Sequence, residues 1–238
     1  QWLRSAAADR VHRAFALTYA AGAMVAQILW VAGALAGGEG RVVLLSAALV
    51  TELATPVLAV RRSPGRVFHP RHIAERYGLF TIIVLGETVL AGAVGFRQAV
   101  DSSGVDLAVL LVAGSALVIC FAMWWLYFEF LGSDALERNR RAAFLWGYGH
   151  FLVYLGGAAA GAGFSVQVDM LTHHAHTTPV IASCAIAIPV ASYFLGLWLV
   201  RDRYVLAGAG RHVFLLGAAL IGLTPLVPYS AYWVALLA

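Results

Sequence analysis

The residues best placed to do chemistry are ionisable side chains stranded in apolar runs. Glu52 interrupts the run 42–60, Glu87 the run 77–96, and His150 lies about two turns into the run 142–163. An ionised carboxylate at membrane depth costs about 2.5–3.5 kcal/mol, so it must be protonated, paired or turned to a wet cavity. Glu52 and Glu87 come to similar depth from opposite chain directions and are expected to share a polar site, one carboxyl staying neutral. The alternative is that each glutamate, neutral, bridges backbone groups of a neighbouring helix. His150 reads either as a proton-relay partner, or ligand beside a glutamate, or as a neutral histidine hydrogen-bonded across helices.

A second group sits where the third apolar run begins. His72, Glu75 and Arg76 are suited to hold an anionic group such as a phosphate, or simply to fix helix depth at the interface. On a helix, Arg76 and Glu87 fall within about 20° of each other, three turns apart. His173, His174 and His176 crowd one loop near Asp169. Histidines at that density are weak candidates for zinc, copper or nickel, but the spacing matches no defined structural site and a solvated loop is expected. Cys120 and Cys184 lie inside apolar runs and read as small buried hydrophobes. There is no glycine-rich nucleotide loop, Walker motif, zinc-peptidase motif or nucleophile elbow, so no cofactor is expected.

The elements that must position these residues are helices. The chain is 61% hydrophobic and 12% charged, a balance that points to the membrane rather than to water. Seven runs of spanning length are expected at about 13–36, 42–60, 77–96, 107–131, 142–163, 179–200 and 212–237. The result is an all-α polytopic transmembrane bundle, one domain over 1–238. All sixteen basic residues are arginine. Fourteen fall on one side of the alternating loops, and Arg41 and Arg97 on the other. That asymmetry predicts a cytoplasmic N-terminus, an external C-terminus and a cytoplasmic loop over 61–76. It also explains the net charge of +4 without nucleic acid. Gly157 and Gly161, four apart, should let the fifth helix approach a neighbour closely. Pro189, Pro225 and Pro228 should kink the last two helices.

The block from His72 to Glu87 reads His-x-x-Glu-Arg-x-x-Leu-Phe-x-Ile-Ile-x-Leu-Gly-Glu. It resembles the signature of the bacterial low-temperature-requirement A (LtrA) family. Trp124-Trp125-Leu126-Tyr127-Phe128-Glu129 is similar to a second block of that family, and the resemblance extends to Tyr148-Gly149-His150. It implies a multi-pass membrane protein linked to growth in the cold and names no activity. The family's N-terminal Phe-Phe-Asp-Leu-Val-Phe block is absent, which implies that the chain is the C-terminal portion of a longer protein.

Two functional classes follow. The first is an inner-membrane carrier or channel for a proton, ion or small solute, with Glu52 and Glu87 as its titrating centre. The second is an integral-membrane enzyme acting on a lipid or isoprenoid substrate by acid catalysis, its carboxylic acid kept neutral by burial. Membrane lipids are the expected partners in both.

Overall fold

The computed structural model describes residues 2–63, 69–104, 106–129, 143–172, 177–227 and 230–237. Among these residues the regular structure is helical, and seven helices are long and apolar enough to cross a membrane. By its internal contacts the chain divides into two compact units, Gln1–His69 and Pro70–Ala238.

The first unit is a helical hairpin with a short leading helix. It comprises α1 (Trp2–Ala8), α2 (Arg13–Leu35) and α3 (Gly38–Arg61). Trp2 stacks on Tyr19 at 4.5 Å and meets Phe15 edge-on, which pins α1 against α2. Asp9 organises the turn between them. Its Oδ1 accepts from the amides of Val11 and His12, and its Oδ2 lies 2.8 Å from His12 Nδ1. Those bonds, with the His12 side chain foremost, hold the Asp9 carboxyl below its ordinary value.

The second unit contains α4 (Pro70–Ser103), α5 (Leu107–Phe128), α6 (Ala143–Leu171), α7 (Pro179–Leu197), α8 (Val213–Leu223) and α9 (Ser230–Leu237). Proline is well suited to the first position of α4, where its missing N–H costs nothing. The helix therefore starts at residue 70, and His72, Glu75 and Arg76 stand on its first turns rather than in the expected loop. At 34 residues it is about 51 Å long, well beyond a hydrocarbon core of about 30 Å. Thr178 caps α7, its hydroxyl accepting from the Ile181 amide.

Helix α6 is the central strut. Its buried residues face α4 on one side and α7 on the other. A Cβ at Gly161 would stand 3.0 Å from the Cα of Thr88, and one at Gly163 would run into the Ala185 carbonyl oxygen. The two helix pairs thus meet backbone to backbone, as the small-residue spacing anticipated. The expected last helix is interrupted. A 3₁₀ turn, Thr224–Leu226, follows α8, and α9 is a separate short helix. Pro225, without an N–H, breaks the ladder there. Helix α7 continues through a π-helical turn, Trp198–Asp202, into a final turn, Arg203–Val205.

Candidate functional site

In the second unit, the start of α4, the end of α5, the start of α6 and the end of α7 bring their polar side chains together. Trp146, His150 and Tyr154 recur every four residues, so they share one face of α6. That face meets Tyr77 of α4 and Tyr127 of α5. The His150 ring lies 4.2 Å from Trp146, 4.7 Å from Tyr77, 5.7 Å from Tyr154 and 5.9 Å from Tyr127, centroid to centroid. The histidine is 1% exposed. The Tyr154 hydroxyl donates to the Tyr77 carbonyl at 3.1 Å, and buried Thr81 donates to the same oxygen at 2.9 Å.

The partners of His150 define its state. Nδ1 lies 2.7 Å from the Trp146 carbonyl oxygen, which can only accept, so Nδ1 carries a proton. Nε2 lies 3.1 Å from the Tyr127 hydroxyl. In the neutral ring Nε2 is therefore the acceptor and Tyr127 the donor. Protonation at Nε2 would reverse that bond and free the tyrosine hydrogen to turn elsewhere. Thr81 adjoins both the Tyr127 and Tyr154 phenols. The arrangement can store one proton and pass it along a line of hydroxyls.

A buried ion pair occupies the end of α7. Arg201 is 4% exposed and Asp202 0%. Arg201 Nε donates to Asp202 Oδ1 at 2.7 Å, and its Nη1 donates to the Leu126 carbonyl, one residue before Tyr127. The guanidinium carbon also lies 5.0 Å from the Phe214 ring centre. Nearby, the buried Tyr193 hydroxyl donates to the Met123 carbonyl at 2.7 Å. The last turn of α5 is thus held by two buried side chains of α7.

Glu87 is exposed on α4, on the face that also carries exposed Arg76. The neighbouring Thr88 is the buried one, donating to the Gly157 carbonyl at 2.8 Å. Glu52 is exposed on α3 and accepts from the Trp30 indole at 3.2 Å inside the first unit. The buried carboxylate expected at mid-depth is therefore found at neither position within its own unit. His72 and Glu75 form a long, exposed pair at 3.8 Å. His173, His174 and His176 lie outside the described residues. No group of three metal-binding side chains occurs among the described residues.

Compared with known proteins, residues 1–238 match the model of the bacterial low temperature requirement A protein, LtrA. The chain belongs to the LtrA family. With its seven apolar helices, this LtrA-family chain is a multi-pass membrane protein. It is also similar to an uncharacterized protein of Rhizobium meliloti (strain 1021), at 31% identity over 166 residues. That stretch is 60% of this chain and 38% of the relative, so the match spans well under half of the relative's length. No solved structure matches.

Within this LtrA chain, sequence reasoning placed Arg201 in a cytoplasmic loop and overlooked Asp202. Adjacent opposite charges after an apolar run look like a helix stop. The signal against that reading was weak: Tyr204 and Val205 continue the apolar character past the charges. Tyr77 and Tyr127 lie inside the two family-like blocks, but neither is an ionisable residue stranded in an apolar run.

Proposed function

We propose that this LtrA-family chain is a proton-coupled carrier or channel of the bacterial inner membrane, passing a proton, ion or small solute, with His150 as its titrating centre. The single observation that carries the reading is the bonding of His150. A fully enclosed imidazole has an acceptor fixed on Nδ1–H and a reversible hydroxyl on Nε2. A purely structural histidine needs no partner whose direction can reverse. Ionisable groups inside a membrane span are expensive and serve ion or proton pathways as a rule. Reconstituted into liposomes with an imposed pH gradient, the wild-type protein should carry proton flux, and His150→Gln and Tyr127→Phe should reduce it at least tenfold while still eluting as folded protein. Unchanged flux in His150→Gln would remove the reading.

The arginine asymmetry supports an N-terminus inside and a C-terminus outside. Single cysteines at Arg71 and Arg97 distinguish the two faces. An impermeant maleimide added to intact cells should label position 97 and spare position 71; the reverse pattern would invert the topology.

The enzyme reading keeps one supporting feature. An apolar groove of about 770 Å³ runs between α4 and α5, lined among others by Leu85, Val89, Phe121, Trp125 and Leu126. Its lining would suit a lipid or isoprenoid chain. A co-purifying polyprenyl lipid converted by the protein, with no proton flux, would favour it.

A further inference from the structure

The ion pair at the end of α7 joins two consecutive residues of a widened helical turn. Neighbouring side chains on an α-helix diverge by about 100° and do not face each other. Here the Arg203 amide bonds to the Trp198 carbonyl five residues back, widening the turn. Such π-turns are rare and recur at functional sites. In this one both consecutive charged residues are buried. Arg201 is clamped between Asp202 Oδ1 and the Leu126 carbonyl, whereas Asp202 Oδ2 is buried with no hydrogen-bond partner among the described residues.

A fully enclosed carboxylate oxygen without a donor is costly, and a buried group of that kind needs a reason. We propose that Asp202 is a second proton-binding site of this unit, the proton residing on Oδ2. The step is balanced: an O–H bond forms at Oδ2, Arg201 keeps its Nε–H bond to Oδ1, and the charge of the pair goes from zero to plus one. Among the described residues, titratable groups on the elements packed around the turn are Tyr77 of α4, Tyr127 of α5, Tyr148 and His150 of α6, Tyr193 of α7, and Arg211 and His212 before α8. Arg203 and Tyr204 follow the turn itself. Among the described residues none of these bonds to the Asp202 carboxyl, whereas Arg201 does.

The two proton sites share a support. The Leu126 carbonyl accepts from Arg201, and Tyr127, the next residue, donates to His150. A positive charge gained at one raises the cost of a positive charge at the other. Asp202 would then take the proton that His150 releases. For that role the inference rests on the proton-handling reading above, but the existence of the site does not.

The test is pH-difference infrared spectroscopy on the full chain in lipid. Wild-type protein should show a protonated-carboxyl stretch that appears as pH is lowered and is absent from Asp202→Asn. Asp202→Glu should restore it at a shifted frequency, which covers the case where the asparagine variant folds poorly. Difference spectra of wild type and Asp202→Asn that coincide, with both proteins folded, would overturn the site, as would a Glu variant without the band. If the spectra coincide while His150→Gln still loses flux, the inference falls and the carrier reading stands. If the band is present but His150→Gln conducts normally, the reverse holds.

Discussion

The Tyr127 hydroxyl and His150 Nε2 meet at 3.1 Å across α5 and α6, and the tyrosine is the donor. The direction follows from the other side of the ring, where Nδ1 must give its hydrogen to the Trp146 carbonyl. A bond whose polarity is set by the protonation of one partner is a switch at the scale of a single hydrogen. It lies one residue from the carbonyl that Arg201 holds. The last turn of α5 thus meets His150 through Tyr127 and Arg201 through Leu126.

Close backbone approach makes α6 intolerant of bulk. Gly161→Leu would drive four carbons toward the Cα of Thr88, which cannot move without moving α4. The expected loss is about 1–3 kcal/mol from overpacking. A thermal melt in detergent should fall by several degrees, whereas Gly86→Ala, with open space at its Cβ, should not destabilise. Equal melting temperatures for wild type and Gly161→Leu would place that face away from α4.

Glu87 is exposed on α4, away from the His150 cluster. Glu87→Gln should therefore preserve the fold of the second unit, with a melting temperature within about 2 °C of wild type, and should retain proton flux. Loss of flux in a folded Glu87→Gln protein would return the titrating centre to this carboxylate.

The turn between α1 and α2 carries a pH dependence of known sign. The carboxyl of Asp9 is held below its ordinary value by His12, so the link stabilises the turn above the carboxylate range. That contribution is lost as pH falls through the folded value. Protection of the Val11 and His12 amides, measured against the intrinsic exchange rate at each pH, should fall on acidification in the wild type. In Asp9→Ala that protection should already be missing at neutral pH; full protection there would show that the turn holds without the carboxylate.

The helices were legible because length and apolarity alone determine whether a segment can span a membrane. Seven spanning helices were expected and seven occur among the described residues, with shifted ends and the last expected run broken at Thr224–Leu226. Residues 70–76 were read as loop because arginine, histidine and glutamate dominate them, yet Pro70 starts a helix there and carries it past the interface. His150 was legible as a lone ionisable residue in an apolar run. Its partners were not, because they come from helix ends 73 positions earlier and 23 positions earlier in sequence, at Tyr77 and Tyr127. Glu52 and Glu87 match in depth along their runs, but depth says nothing about azimuth, and each is exposed on its own helix. Arg201 and Asp202 were hidden by the same habit that made the topology readable: charge after an apolar run marks an end, unless a π-turn buries it.

The central claim is that His150 changes protonation inside the membrane-spanning unit. Solid-state nitrogen NMR of ¹⁵N-histidine-labelled protein in lipid reads this directly, with His150→Gln identifying the signal. The account predicts a neutral ring with hydrogen on Nδ1 at high pH, converting to the doubly protonated ring as pH is lowered with the fold intact. A His150 signal that stays in one neutral form until the protein unfolds would contradict it.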